Sequence, residues 1–228
     1  MRKRLTIKEY GKFGLLIEWR EGIRKSTLDE ILQLVKWLES EAGERILEII
    51  PGYSSLTIIC IHASSVSIIK DLIKKARLSS LPSTTNKKHW EIPVCYDSEF
   101  APDLEEVCES LSIDRERLIE LHTGRTYDTY FTGFLPGFPY LGTLHKKLSI
   151  ERKATPRLQV SSGSVAIANL QTGIYPVNSP GGWHVIGRTP MTLFDIREYP
   201  PCLIQAGDQV TFHEIDKNQF SELLNRPG

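Results

Sequence analysis

The stretch of sequence that decides the fold is residues 131–195, FTGFLPGFPYLGTLHKKLSIERKATPRLQVSSGSVAIANLQTGIYPVNSPGGWHVIGRTPMTLFD. Between Gly133 and Pro190 it contains 8 of the chain's 16 glycines and 6 of its 13 prolines. Such a density is typical of linkers and disordered tracts, which are poor in aromatic residues. This stretch instead carries seven aromatic residues: Phe131, Phe134, Phe138, Tyr140, Tyr175, Trp183 and Phe194. It therefore predicts tight loops around a packed surface, a common setting for a binding site.

The overall composition is that of an ordinary soluble protein, and 228 residues allow one large domain or two small ones. Lys and Arg total 28, as do Asp and Glu, and this balance argues against a nucleic-acid or anionic-membrane binder. Apolar runs long enough for a transmembrane helix or a signal peptide are not found. The four dispersed cysteines, without a CxxC pair, predict free thiols in a reducing cytoplasm.

The N-terminal part of the chain alternates between strand and helix patterns. The patterns predict strands at 14–19, 46–50, 56–61 and 89–95, and helices at 28–38 and 66–76. Two overlapping capping boxes, Ser26/Asp29 and Thr27/Glu30, precede the first helix. The order β-α-β-β-α-β is the split βαβ, or ferredoxin-like, arrangement.

A polar segment at 81–88 marks the predicted boundary between an N-terminal domain at 1–88 and a C-terminal domain at 89–228. The strand at 89–95 could belong to either. The second domain begins with a helix for which Pro102 suits the first turn, and Ser112 can cap a second helix that runs to about His122. Short strands separated by Gly and Pro turns then suggest a barrel or a sandwich, so we expect an α+β protein.

The glycine-rich stretch excludes several chemistries from its own sequence. Glu151 is its only acidic residue before Asp195, so the stretch itself offers no carboxylate pair for glycoside hydrolysis and no carboxylate cluster for Mg²⁺ or Ca²⁺. Its histidines lack ligand spacing, and we expect no metal site. Neither a P-loop nor a G-x-G-x-x-G loop occurs, and Gly163-Ser164-Val165 is not a nucleophile elbow.

What remains is an uncharged, aromatic surface flanked by Arg157 and Arg188. Arginine side chains suit carboxylate or phosphate groups, and the neutral polar residues of the stretch suit amides: Gln171, Tyr175, Asn178 and His184. This pattern predicts a small ligand with an anionic end and an amide-like end. The alternative is that both arginines are salt-bridge partners at the rim of a barrel.

Five segments in this order resemble one known family. They are GFLPGFPYL at 133–141, ATPR at 154–157, GSVAIA at 163–168, QTGIYP at 171–176, and SPGGW through GRTP at 179–190. The family is that of the 5-oxoprolinase B subunit, also called allophanate hydrolase subunit 1 or the kinase A inhibitor family. The resemblance covers the whole chain and is strongest after residue 90.

The resemblance implies a cyclophilin-like β-barrel as the C-terminal domain and an α/β N-terminal domain. It implies a cytoplasmic protein that forms a direct heteromer with a homologous C subunit and works with a separate A subunit. The complex would use ATP as co-substrate to open 5-oxo-L-proline to L-glutamate. We therefore expect the glycine-rich stretch to form one wall of a site that a partner chain completes.

Within the matching segments, residue chemistry selects the candidate substrate-binding residues: Phe138, Arg157, Gln171, Tyr175, His184 and Arg188. His122 is a candidate acid/base catalyst, because a helix C-terminus tends to raise the proton affinity of a histidine. Two other functions stay open, namely inhibition of a sensor histidine kinase and participation in a urea- or allophanate-processing enzyme. Prolyl isomerisation is disfavoured, since a barrel fold alone does not carry that activity.

Overall fold

The computed structural model describes residues 5–76, 81 and 87–225, which form two compact units that divide between Lys87 and Lys88. Both units mix helices and strands. Within the described residues, no helix combines the length and the apolar character needed to span a membrane.

The first unit is a four-stranded antiparallel sheet with two helices. Its elements are β1 (Leu5–Tyr10), β2 (Gly14–Trp19), α1 (Lys25–Ala42), β3 (Ile46–Pro51), β4 (Ser55–Cys60) and α2 (Ala63–Lys75). The sheet order is β1-β2-β4-β3, with every neighbouring pair antiparallel. Alternate residues of β2 and β4 face the helices, so Leu15, Ile17, Leu56 and Ile58 are fully buried with apolar residues of α1 and α2.

The ferredoxin-like prediction is wrong in its strand assignment. The strand predicted at 89–95 lies in the second unit, and the position beside β2 is taken by β1, which the sequence pattern did not reveal. The capping boxes are wrong as well. The first helix begins one turn earlier than its apolar stripe, at Lys25, and the Thr27 hydroxyl donates a hydrogen bond to the Glu21 carbonyl, 3.1 Å away.

The second unit contains nine strands and three helices among its described residues. They are β5 (His89–Val94), α3 (Leu104–Leu111), α4 (Arg115–Thr123), β6 (Thr126–Thr132), β7 (Pro139–Gly142), β8 (Arg157–Val160), β9 (Ser164–Ala168), β10 (Gln171–Ile174), β11 (Ser179–Gly181), β12 (His184–Arg188), β13 (Gln209–Glu214) and α5 (Lys217–Leu224). The helix starts differ from expectation at two points. Pro102 precedes α3, which begins at Leu104, instead of lying in its first turn. Ser112 ends α3 in a left-handed conformation, and the Asp114 carboxylate caps α4 by accepting the Arg117 N–H.

Seven of these strands form one sheet in the order β12-β9-β10-β7-β6-β13-β5. Cys95, just after β5, exchanges two backbone hydrogen bonds with Arg188 at the end of β12, with N···O distances of 2.8 and 2.9 Å. The two edges of the sheet therefore meet, and the sheet is nearly closed into a barrel. This agrees with the barrel alternative predicted from the short strands. The remaining strands, β8 and β11, pair with each other.

Residues of β9 show how the barrel separates two apolar cores. Val165 and Ile167 point into the main core with α3 and α4, whereas Ala166 and Ala168 face an aromatic cluster on the other side. All four side chains are fully buried. Because successive strand residues point to opposite faces, both faces of this strand are covered by protein.

His122 lies in the main core, fully buried near the end of α4. Its Nδ1 is 2.7 Å from the Tyr96 hydroxyl, its Nε2 is 3.1 Å from the Thr172 hydroxyl, and its ring stacks on Phe212. Burial lowers its pKa from 6.5 to about 3. The expectation that the helix C-terminus raises the proton affinity of His122 is therefore wrong, because the loss of solvation outweighs the effect of the helix dipole.

We expect His122 to make the protein less stable in mild acid. Its folded pKa lies below its unfolded value of 6.5, so the unfolded chain binds the extra proton and stability falls as pH drops from 6.5 toward 3. The loss should be roughly 2 kcal/mol between about pH 7 and pH 5. Urea unfolding of the native chain and of His122→Gln at both pH values measures it. An equal pH dependence in the two proteins would contradict the assignment.

Candidate functional site

A cavity of about 130 Å³ opens in the second unit between β8, β9, β12 and the segment before α3. Its polar lining includes Arg157 and Gln159 of β8, Ser164 of β9 and Arg188 of β12. Phe100 forms part of its apolar lining. The structure thus brings together both arginines that were selected from the sequence, although they lie on different strands.

Arg157 is committed to an ion pair. Its guanidinium contacts the carboxylate of Asp103, which is fully buried at the start of α3. The Lys153 ammonium lies 2.9 Å from the same carboxylate and 2.6 Å from that of Glu106. The backbone N–H of Val185 donates to the other Asp103 oxygen over 2.8 Å. The salt-bridge alternative is therefore correct for Arg157.

Asp103 is a functional-site residue that the sequence reasoning missed. Burial alone would raise its pKa, but hydrogen bonds from Arg157, Lys153 and the Val185 N–H outweigh burial and lower it. The carboxylate is therefore ionised at neutral pH. Its only sequence signal is an acidic residue next to Pro102 before a helix, which is ordinary at a helix start.

Arg188 has a different environment. Its Nε donates to the Ser162 carbonyl over 2.9 Å, and its guanidinium lies 6.0 Å from the centre of the Phe220 ring. Among the described residues, no carboxylate lies within ion-pair distance of this guanidinium. Of the two arginines that line the cavity, Arg188 is thus the one without a carboxylate partner among the described residues.

Phe138 and Tyr175 do not line the cavity. They are 1% exposed and form an aromatic cluster with Trp183 and Tyr140, in which Phe138 makes edge contacts with Tyr175 and Trp183 at centroid distances of 5.2 and 5.5 Å. Gly181 is required there, because a Cβ at this position would lie 2.3 Å from the Tyr175 hydroxyl oxygen. Burial raises the pKa of Tyr175, so its hydroxyl stays protonated.

This aromatic cluster is nonetheless connected to the cavity. Val160 and Val185 belong to the cluster and also line the cavity wall. The predicted packed aromatic surface therefore exists, but it supports the wall from behind instead of presenting rings to a ligand.

Gln171 and His184 are also removed from the cavity lining. Gln171 is buried in β10, opposite Gly142 and Ala168. His184 is 5% exposed, and its Nε2 lies 2.9 Å from the Glu151 carbonyl oxygen. Its Nδ1 is buried without a hydrogen-bond partner among the described residues.

His184 lies close to two carboxylates, contrary to the expectation from the local sequence. Ligand atoms of Asp103, Glu106 and His184 lie within 4.8 Å of one another and could hold a metal ion. However, the Lys153 ammonium already contacts both carboxylates. A cation could bind there only after displacing that lysine. In this structure the two carboxylates belong to an internal ion-pair network instead.

We expect Asp103→Asn to lower the free energy of unfolding by about 3–5 kcal/mol, because it leaves Arg157 and Lys153 without their buried counter-charge. Urea unfolding measures the change. Glu106→Gln is the matched control, since it also removes a carboxylate from Lys153, but one whose side chain is 57% exposed. Its expected cost is below about 1 kcal/mol. Equal effects of the two substitutions would contradict a special role for Asp103.

Comparison with known proteins places this chain in a family. The family model described as "Carboxyltransferase domain, subdomain C and D" matches residues 5–204. The B subunit of the 5-oxoprolinase of Bacillus subtilis is 35% identical over 96% of this chain and 97% of its own length. The corresponding B subunit of Escherichia coli O157:H7 is 39% identical over 89% of this chain and 92% of its own.

Solved structures agree on the fold. The crystal structure of TTHA0988 superposes with a TM-score of 0.78 at 32% identity, and the match covers 92% of this chain but 40% of that longer chain. The urea carboxylase of Kluyveromyces lactis superposes with a TM-score of 0.76 at 18% identity, over 96% of this chain and 22% of its own, which shows a shared fold only. The chain therefore belongs to the carboxyltransferase subdomain C and D family and, within it, to the family of 5-oxoprolinase B subunits.

Proposed function

We propose that this chain is the B subunit of an ATP-dependent 5-oxoprolinase complex, which opens 5-oxo-L-proline to L-glutamate together with the A and C subunits. The observation that carries the proposal is the match to a protein named as a 5-oxoprolinase B subunit over 96% of this chain and 97% of that relative. We further propose that the barrel is cyclophilin-like and that the complex works in the cytoplasm, as the family resemblance implies.

The cavity supports a role in handling a small substrate. It combines the guanidinium of Arg188, which has no carboxylate partner among the described residues, with an amide, Gln159, and an apolar wall that includes Phe100. 5-Oxoproline offers a carboxylate, a lactam amide and an apolar ring edge, so each part of the molecule has a matching group.

The cavity suits a small ligand better than it suits ATP. A volume of about 130 Å³ is well below the ~300 Å³ at which pockets for drug-sized ligands begin. We therefore propose that ATP is a co-substrate of the complex and is held outside this cavity. Because a lactam resists hydrolysis, ATP would activate the carbonyl oxygen before water attacks the ring.

Reconstitution tests the proposal. The A and C subunits should release glutamate from 5-oxoproline with ATP when this chain is present, and the rate should fall at least about tenfold without it, because a chain that completes the active complex cannot be replaced by the others. Glutamate and ADP are measured over time. The controls omit ATP or replace 5-oxoproline by urea or allophanate.

Equal glutamate release with and without this chain would refute the proposed role. Consumption of urea or allophanate but not of 5-oxoproline would favour the urea-processing alternative. A sensor histidine kinase whose autophosphorylation falls when this chain is added, with no glutamate formed, would favour the regulatory alternative.

A further inference from the structure

We propose that the cavity binds a small monocarboxylate through Arg188, and that Arg157, which looks equivalent in the sequence, does not contact the ligand. The identification of the ligand as 5-oxoproline rests on the proposed function above. The assignment of the carboxylate to Arg188 rests on the charges and contacts around the cavity.

The charges around the cavity leave one cation for a ligand. Arg157 and Arg188 are the cationic residues that line it, and Glu99 is its acidic residue. Arg157 is neutralised by Asp103, and Glu99 is paired with Lys217 over 2.6 Å. Because Arg188 has no carboxylate partner among the described residues, one positive charge of the cavity lining is left without a counter-charge. A ligand with one negative charge would balance it.

The Arg188 guanidinium is held in place before any ligand binds. Its Nε donates to the Ser162 carbonyl, and its backbone pairs with Cys95 at the seam of the barrel. One face of the guanidinium lies over Phe220, whose ring stacks on Phe100 at a centroid distance of 4.4 Å. Fixing the side chain in advance lowers the entropic cost of binding.

The two terminal nitrogens of Arg188 have no hydrogen-bond partner among the described residues. Two parallel N–H groups at a guanidinium edge match the two oxygens of a carboxylate. Inorganic phosphate would also match the charge, but it has no apolar surface to place against Phe100, Val160 and Val185.

Two further polar groups of the cavity lie on β8 and β9. Gln159 can both donate to and accept from an amide, and Ser164 at the start of β9 can do the same through its hydroxyl. The ligand class is therefore a carboxylate on a compact, partly apolar body that carries an amide. The volume of about 130 Å³ suits a body the size of a single small ring or short chain.

Binding to the full-length chain tests the inference without the other chains of the complex. Calorimetry with 5-oxo-L-proline should give saturable binding, and 2-pyrrolidinone, the same ring without a carboxylate, should bind at least about tenfold more weakly. Arg188→Gln should weaken 5-oxoproline binding by about 10- to 100-fold, as expected when a charged hydrogen-bond pair is lost. Arg197→Gln, an arginine paired locally with Asp195, is the control and should leave binding unchanged.

Arg157→Gln separates the two arginines. It should reduce the affinity much less than Arg188→Gln, provided that thermal unfolding shows the variant to be folded at the binding temperature. If Arg157→Gln is unfolded, Arg157→Lys decides: it keeps a cation beside Asp103 but removes the guanidinium, and it should leave 5-oxoproline binding unchanged.

Three results would overturn the inference: no binding of 5-oxoproline, equal affinity for 2-pyrrolidinone and 5-oxoproline, or unchanged binding in Arg188→Gln. Inorganic phosphate that binds as tightly as 5-oxoproline would also overturn it, since the site would then recognise charge alone. Failure of the proposed function is distinguishable, because an inactive reconstituted complex with intact, Arg188-dependent carboxylate binding would refute the role in the complex and leave the binding site standing.

Discussion

The buried carboxylate of Asp103 is the constraint on which the rest of the site depends. The backbone of Asp103 donates to the Val185 carbonyl over 3.0 Å, and its side chain accepts the Val185 N–H over 2.8 Å. These two hydrogen bonds attach the start of α3 to β12. They fix the segment that carries Phe100 and Pro102 against the barrel and so form one side of the cavity.

A buried charge must be compensated, and the compensation explains why two similar arginines have different roles. Removing a carboxylate from water is costly unless cations and hydrogen bonds replace the solvent. Arg157 and Lys153 supply those cations, and neither is then available to a ligand. Arg188 lies on β12, donates to the Ser162 carbonyl, and has no carboxylate partner among the described residues.

Features that depend on near neighbours in the chain could be predicted. The spacing of apolar residues over a few positions predicts β2, α2 and β13. The dense glycines and aromatic residues of 131–195 predicted tight turns around a packed aromatic surface, and Phe138, Tyr175 and Trp183 do pack together there. These predictions hold because side-chain direction repeats with the period of each element.

Features that depend on distant contacts could not be predicted. Asp103 and Arg157 lie 54 residues apart, and nothing in either local sequence indicates their pairing. Strand β1 is held in the sheet by its pairing with β2. Half of its residues are exposed, so its sequence shows only a weak alternation of apolar and polar residues. His122 illustrates the same limit, since its helix position favours a raised pKa while the surrounding core lowers it.

The glycine-rich stretch was expected to form one wall of a site completed by another chain, and the structure narrows that expectation. Strands β8, β9 and β12 of the stretch do form a wall, but the opposite side comes from residues 99–102 and is backed by Phe220 of α5. In the proposed binding, groups of this one chain would therefore contact the small carboxylate from both sides. In the proposed complex, this cavity would hold the small substrate, and another chain would hold ATP.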